Sequence, residues 1–259
     1  MEAYLTTSGG EIIFPPQKIL ITNYMKSKKT IGILGGMGPA ASSYMLSLII
    51  KQMQSEYLAV QDQDFPNIIL HSVGVQGFDE KGNITNEGAK QILAEAKKIE
   101  VAGAHVLLIA CNTAHVLTHE IRQNLSIPFV SLVETTCQYV SKLGVKKVGI
   151  LSSETSAEHD LYGVEFSKKG IASIYPDSSQ KKLITEAIVS VMGGTNTNKE
   201  SAVVESIGSS LLKEGAEIIV LGCTELPLLF KDVNSDKYVE PMNVAIQQIL
   251  TTYNVSCTV

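Results

Sequence analysis

The chain has 259 residues and a formal net charge of −5, with 44% hydrophobic and 18% charged residues. This composition excludes a disordered chain and indicates a packed globular protein, long enough for two small lobes. Because surfaces that bind polyanions carry an excess of basic residues, nucleic acid is not expected as a partner.

The cysteine content and the N-terminal sequence indicate the cellular compartment of the protein. Cys111, Cys137, Cys223 and Cys257 are too sparse for a disulfide scaffold, and none belongs to a CxxC motif. No apolar run reaches the roughly 20 residues that a membrane span needs, and the first residues do not form a secretory signal. Residues 1–28 show no sustained period and are interpreted as an N-terminal extension. We therefore expect free thiols, a cytoplasmic protein and no membrane association.

The sequence contains an internal repeat. Residues Lys29–Gly35 resemble Lys146–Ser152, and Ala102–Cys111 resembles Glu214–Cys223. In both copies a cysteine follows a short and wholly apolar run. Such runs are typical of strands that are buried on both faces of a parallel sheet. The repeat therefore predicts two pseudo-symmetric lobes.

Predicted strands alternate with predicted helices along the chain. The apolar runs predict the strands Ile31–Leu34, Val106–Ala110, Val148–Leu151 and Ile218–Gly222. Helical spacing of apolar residues predicts the helices Asn86–Val101, Leu183–Met192 and Ala202–Leu212. This alternation predicts an α/β fold of two Rossmann-like lobes, each with a parallel sheet flanked by helices.

Two thiols are the candidate catalytic groups. Ligands of parallel sheets bind beyond the carboxyl ends of the strands, where Cys111 and Cys223 are expected. If the lobes face each other, the thiols meet across a cleft, and one thiol on each side could move a proton between the two faces of a carbon. Both cysteines precede predicted helix starts, where a thiolate and a carboxylate are favoured. A buried structural cysteine is the alternative interpretation of each residue.

Two other motifs bear on metal and nucleotide binding. Cys111 and His115 form a CxxxH pair, but no third and fourth ligand completes a zinc site. The glycine-rich run 32–38 fits neither G-x-G-x-x-G nor a P-loop, so no nucleotide cofactor is expected. Its glycines would let the backbone approach a small ligand, with Pro39 opening a helix, or would form a tight turn alone. Cys137 is expected to pack inside a helix, and Cys257 to be a tail residue.

Three motifs carry a family resemblance. Gly35–Pro39, Cys111–His115 and Gly222–Pro227 resemble the aspartate/glutamate racemase family, and most closely its aspartate racemase branch. The resemblance runs from about Lys29 to Met242. It implies two α/β lobes, racemisation of a small amino acid without a cofactor, a cytosolic location and a homodimer.

The resemblance also implies roles for individual residues. Cys111 and Cys223 would be the two acid/base groups. The residues implied to contact the substrate are Met37, Asn112, Thr113, Ala114 and Thr224. The implied division gives lobe 1 residues 29–127 plus 236–259 and gives lobe 2 residues 128–235.

The sequence departs from the family at its carboxylate-binding cations. Aspartate racemases carry a Pro-Asp-Arg stretch whose arginine holds a carboxylate, but the comparable residues 75–81 contain no arginine. The family's lysine near Met192 is also missing, and Lys81 and Lys199 are candidate substitutes. Arg122, the sole arginine, lies well along the helix after Cys111. An unpaired carboxylate in a closed cleft costs several kcal/mol of binding free energy. The resemblance therefore supports the two-thiol chemistry in this chain better than it supports the family's substrate.

The sequence favours an aspartate or glutamate racemase with two-base transfer between Cys111 and Cys223. One alternative is a decarboxylase or cis–trans isomerase of a small carboxylic acid, in which one thiol attacks or protonates while the other assists. Another is a catalytically silent amino-acid-binding protein, which the missing cations favour.

Overall fold

The structure, a computed structural model, describes residues 29–79, 82–230 and 236–252. The predicted extension 1–28, Lys81 and Cys257 therefore lie outside the described residues. None of the described helices is long and apolar enough to cross a membrane.

The first lobe contains a three-stranded parallel sheet. Its strands are β1 (Thr30–Gly35), β2 (Asn67–Ser72) and β3 (Val106–Ile109), in the order β2-β1-β3. Its helices are α1 (Pro39–Glu56), α2 (Asn86–Val101) and α3 (Thr118–Asn124). The predicted bounds of α2 are confirmed, and Pro39 opens α1 as expected.

The second lobe repeats this arrangement and adds one strand. Its strands are β4 (Lys147–Leu151), β5 (Ala172–Ile174), β6 (Ile218–Leu221) and β7 (Tyr238–Val239), in the order β5-β4-β6-β7. Its helices are α4 (Leu132–Lys142), α5 (Glu154–Glu158), α6 (Leu161–Ser167), α7 (Ser178–Met192) and α8 (Asn198–Lys213). All pairs within the two sheets are parallel, and the shared strand order confirms the predicted α/β fold of two related lobes.

Each central strand buries side chains on both faces of its sheet. In the first lobe Ile31 and Ile33 pack towards α1, whereas Leu34 packs towards α2. In the second lobe Ile150 packs towards α4 and α6, and Leu151 packs towards α7 and α8. Each sheet is therefore a layer between two layers of helices, which explains why its strands are apolar throughout.

The chain returns to the first lobe at its last helix, α9 (Pro241–Thr252). Met242 and Ile246 of α9 lie in the core beside β1 and α1. The predicted division places residues 236–259 in the first lobe, but its boundary at residue 236 is wrong. Because Tyr238–Val239 pairs with β6, the second sheet extends to this strand, and the return occurs at Pro241.

The segments after the two cysteines are shorter and tighter than expected. A 3₁₀ helix over Thr113–Leu117 follows Cys111, and another over Leu226–Leu229 follows Cys223. The predicted α-helix starts are therefore 3₁₀ turns, and in the first lobe α3 begins only after that turn.

Candidate active site

A cavity of about 700 Å³ lies between the lobes, at the carboxyl ends of β1, β3, β4 and β6. This volume is typical of small-molecule sites, which enclose roughly 300–1,000 Å³. Cys111 follows β3 and Cys223 follows β6, and both line the cavity. The structure thus brings the two thiols of the repeat to one site.

The cavity also contains most of the predicted substrate-contacting residues. Met37, Asn112, Thr113 and Thr224 line it. Ala114 does not, because it is fully buried in the first-lobe core beneath the wall. Its backbone N–H instead acts on the sulfur of Cys111.

Cys111 is a protonated thiol in this environment. Burial raises the pKa of Cys111 to about 12, and the nearby charge of Glu225 acts in the same direction. The N–H groups of Ala114 and Thr113 and the Thr113 hydroxyl oppose this rise. The expectation that the following helix start favours a thiolate is therefore wrong here, since burial outweighs these donors.

Cys223 is paired with a buried carboxyl group. Its Sγ donates to Glu225 Oε2 at 3.1 Å, and the Thr224 hydroxyl donates to the same oxygen at 3.0 Å. Burial, followed by the charge of Glu225, holds the pKa of Cys223 well above its usual range. Burial also raises the pKa of Glu225. Among the described residues, Glu225 Oε1 has no hydrogen-bond partner.

Asn112 is held by a bond that crosses between the lobes. The Tyr162 hydroxyl of α6 donates to Asn112 Oδ1 at 2.6 Å. Asn112 is 3% exposed, and its Nδ2 finds no partner among the described residues. A buried amide donor without a partner therefore lies at the wall of the cavity.

Two further polar contacts join the cavity walls of the two lobes. Thr113 Oγ1 and Ser156 Oγ are 3.2 Å apart, and Thr224 Oγ1 lies 3.4 Å from the Ala110 carbonyl oxygen. Each contact joins the segment after one cysteine to the opposite lobe. The distance between the two thiols therefore depends on both contacts.

His115 supports the Cys111 segment from outside the cavity lining. The Leu132 N–H donates to its Nε2 at 2.9 Å, so Nδ1 carries the proton and donates to the Cys111 carbonyl oxygen at 2.9 Å. Burial lowers the pKa of His115 to about 4. His115 is therefore a neutral positioning residue for this segment.

The described part of the cavity wall contains no lysine, arginine or histidine. Arg122 instead donates from Nη1 and Nη2 to the two carboxylate oxygens of Glu134, at 2.8 and 2.5 Å. Lys199 lies on α8 and is not part of the lining, and Lys81 lies outside the described residues. In the same part of the chain, no group of three or more His, Cys, Asp and Glu residues could hold a metal ion.

The sequence did not reveal several residues of the site. Tyr162 reaches Asn112 from a helix 50 residues away, and no local pattern signals this contact. Glu225 carried a signal, because it belongs to the Cys223–Thr224–Glu225 stretch that ends the repeat. The prediction that Cys137 packs within a helix is confirmed, since this residue is fully buried on α4.

Comparisons with known proteins find racemases. The family model for Asp/Glu/Hydantoin racemase matches residues 34–249. The broad specificity amino-acid racemase RacX of Bacillus subtilis (strain 168) is 28% identical over 206 residues, covering 80% of this chain and 89% of that protein. An aspartate racemase homologue from Pyrococcus horikoshii OT3 is 26% identical with a TM-score of 0.72, covering 88% of this chain and 100% of the other. The aspartate racemase of Picrophilus torridus, 22% identical, shares the fold with a TM-score of 0.71 over 86% of this chain and 94% of its own.

Proposed function

Since the chain belongs to the Asp/Glu/Hydantoin racemase family, we propose that it racemises an amino acid with Cys111 and Cys223 as the two acid/base groups. Membership makes the chain an isomerase and confirms the resemblance carried by its motifs. One observation carries the two-thiol assignment: two cysteines from equivalent positions of the repeat line a single cavity.

The proposed step exchanges one proton at each face of Cα. The thiolate of one cysteine takes the Cα proton, so a C–H bond breaks and an S–H bond forms. The thiol of the other cysteine gives its proton to the opposite face, so an S–H bond breaks and a new C–H bond forms. One thiol and one thiolate are present before and after the step, and no electrons are transferred.

Asn112 is the donor that we assign to the substrate carboxylate. Negative charge spreads into this carboxylate when the Cα proton leaves, and buried donors aimed at such charge stabilise the transition state. Asn112 Nδ2 is buried at the cavity wall without a partner among the described residues. The bond from Tyr162 to Oδ1 fixes the amide orientation that leaves Nδ2 as the donor.

Glu225 is the group that we propose accepts the thiol proton of Cys223. Sγ of Cys223 already donates to Glu225 Oε2. Transfer of the proton along this bond creates the Cys223 thiolate when Cys223 acts as the base. When Cys111 acts as the base, its thiol first gives its proton to solvent water, and the N–H groups of Thr113 and Ala114 partly offset the burial that opposes this thiolate.

The identity of the amino acid is a separate question. Aspartate and glutamate are the substrates that the family description suggests, but their side-chain carboxylate would meet no cation in the described wall. The predicted homodimer remains a proposal that rests on the family resemblance alone.

Proton NMR in D₂O tests the proposed function. Amino acids are supplied one at a time, and the loss of the Cα proton signal is measured. We expect exchange with at least one amino acid, and loss of racemisation in Cys111→Ala and in Cys223→Ala. Cys137→Ala is the matched control, because Cys137 is also buried but lies on α4 in the core of the second lobe. Near-normal turnover in either active-site variant would contradict the two-base assignment. Thermal stabilisation by amino acids without any exchange would instead indicate a binding protein.

A further inference from the structure

We propose that the substrate is an amino acid with a cationic side chain, such as lysine, ornithine or arginine, whose charge is held by carboxylates at the cavity opening. This inference rests on the proposed racemase function and specifies the substrate of the same site. It differs from the aspartate or glutamate substrate that the motifs favour.

The charged residues in the described part of the cavity lining have one sign. Four carboxyl residues line it, namely Asp79, Glu154, Glu158 and Glu225, and the described lining contains no positively charged residue. Asp79 accepts hydrogen bonds from Asn83. Within the described parts of the chain, neither Glu154 nor Glu158 forms an ion pair. Two exposed carboxylates at the opening are therefore available to a cation.

Two buried polar groups without partners in the described residues indicate where the α-ammonium and α-carboxylate groups of the amino acid bind. Glu225 is 4% exposed and Asn112 is 3% exposed. Among the described residues, the acceptor Oε1 of Glu225 and the donor Nδ2 of Asn112 have no hydrogen-bond partner. Both residues line the cavity. A carboxyl acceptor and an amide donor in one cavity match the ammonium and the carboxylate of an amino acid. Buried polar groups are costly without such partners, so they favour a ligand that supplies both.

The apolar part of the cavity wall suits an aliphatic side chain. Apolar side chains of both lobes line the cavity, and these are Val75, Phe78, Ile188, Val189 and Met192. Lysine and arginine cover apolar surface with their methylene stems while the charged end stays hydrated. Glu154 and Glu158 are exposed and would contact that charged end. Aspartate has a single methylene group with which to cover this wall.

Electrostatics then separates the two substrate classes. A second carboxylate on the substrate would add negative charge to a cavity lined by four carboxyl residues. A cationic side chain lowers the net charge instead. Like charges disfavour each other's ionised forms, whereas opposite charges within about 4–6 Å favour them.

The test compares amino acids that differ in charge at similar length. Exchange of the Cα proton in D₂O is measured for L-lysine, L-norleucine, L-aspartate and L-glutamate. Norleucine retains an aliphatic chain but lacks the ammonium group. The double variant Glu154→Gln/Glu158→Gln removes the free carboxylates, and Glu205→Gln on α8 is the control at an exposed carboxylate outside the lining.

We expect kcat/KM to be highest for lysine, and the KM for lysine to rise about fivefold in the double variant, as for the loss of two exposed ion pairs. The KM for norleucine should not change. Added salt should raise the KM for lysine alone, because salt screens exposed charges.

Three results would overturn the inference, and they separate it from the proposed function. Faster exchange of aspartate or glutamate than of lysine rejects the cationic substrate but leaves the racemase in place. Equal kinetics for norleucine and lysine reject recognition of the charge and likewise leave the racemase in place. Absence of exchange with every amino acid rejects both proposals.

Discussion

The Tyr162 hydroxyl donates to Asn112 Oδ1 at 2.6 Å, and this bond joins helix α6 of the second lobe to the residue that follows Cys111 in the first. Tyr162 is 1% exposed, and burial holds the pKa of its hydroxyl well above the usual range, so it stays a donor. The orientation of an active-site amide in one lobe is therefore set by the other lobe.

Removal of this hydroxyl should weaken both catalysis and folding. Tyr162→Phe leaves a buried acceptor without its donor, which costs about 1–3 kcal/mol of stability. It also frees the Asn112 amide to rotate, and a loss of about 1.4 kcal/mol in the transition state lowers kcat/KM about tenfold. Racemisation kinetics and urea unfolding measure the two effects.

Tyr175→Phe is the matched control for this prediction. Tyr175 also donates a hydrogen bond, partly buried, to Asp160, but it does not line the cavity. It should lose stability with little change in kcat/KM. Equal kinetic losses in both variants would show that the Tyr162 bond has no special role in positioning Asn112.

Gly38 leaves room for the carboxyl group of Glu225. A Cβ atom at this position would overlap with Glu225 Oε1, and the backbone φ of +48° lies in the left-handed region. Gly38→Ala should therefore displace the Glu225 side chain and cost about 1–2 kcal/mol of stability from backbone strain. We expect a large fall in kcat.

Gly74→Ala tests whether that fall is specific. Gly74 has open space around its Cβ position and no left-handed backbone. This variant should keep both stability and kcat. If Gly38→Ala is as active as Gly74→Ala, Glu225 does not need its present position.

The charge of Glu225 should affect thiol reactivity and turnover in opposite directions. It raises the pKa of both Cys111 and Cys223. Glu225→Gln should therefore lower both thiol pKa values and speed their alkylation by iodoacetamide at pH 8, since the thiolate is the reactive form. Turnover should fall, because the acceptor of the Cys223 proton is lost. Peptide mass spectrometry measures the alkylation of each cysteine.

A merely structural role of Glu225 would give a different result. Loosening of the fold would also speed the alkylation of Cys137, which is fully buried away from the cavity, whereas the removal of a charge beside the thiols should speed the alkylation of Cys111 and Cys223 alone. Glu120→Gln on α3 serves as the control, since Glu120 is exposed and lies outside the cavity. It should change neither turnover nor alkylation.

Glu240 should make stability depend on pH. Burial raises the pKa of Glu240 from 4.5 to about 7, and its Oε2 accepts from the Tyr44 hydroxyl. The folded state therefore binds more protons than the unfolded state between these pH values. The stability from this group is fully present below pH 4.5 and is lost as the pH rises through 7, by about 3 kcal/mol.

Glu240→Gln should remove this loss. The difference in unfolding free energy between wild type and variant, measured in urea at pH 5 and at pH 8, should change by a few kcal/mol in favour of the variant at pH 8. A difference that is the same at both pH values would show that Glu240 titrates normally in the folded protein.

Much of the fold follows from local patterns in the sequence. Wholly apolar runs such as Val106–Ile109 identify strands buried on both faces, and the helical spacing in Asn86–Val101 gives the bounds of α2. The repeat places Cys111 and Cys223 at equivalent strand ends, and the strand order explains why they share a cavity.

The rest depends on contacts between distant parts of the chain. Burial of Cys111 raises its pKa against the pull of nearby N–H groups, and burial is a property of the assembled lobes. The Tyr162 bond, and the negative charge shared by the charged residues of the described cavity lining, arise only when the lobes pack together. The pairing of Tyr238–Val239 with β6 likewise depends on tertiary packing, because a two-residue strand has almost no sequence pattern.

The isotopic composition of the product in D₂O tests the two-thiol mechanism most directly. An active L-amino acid is incubated to low conversion, and the two enantiomers are separated and analysed by mass spectrometry. We expect the D-enantiomer to carry deuterium at Cα, because the opposite cysteine supplies a solvent-derived proton, while the remaining L-enantiomer keeps its original hydrogen. A D-enantiomer that retains the hydrogen of the substrate would contradict the account, since a single base would then have moved one proton between the two faces.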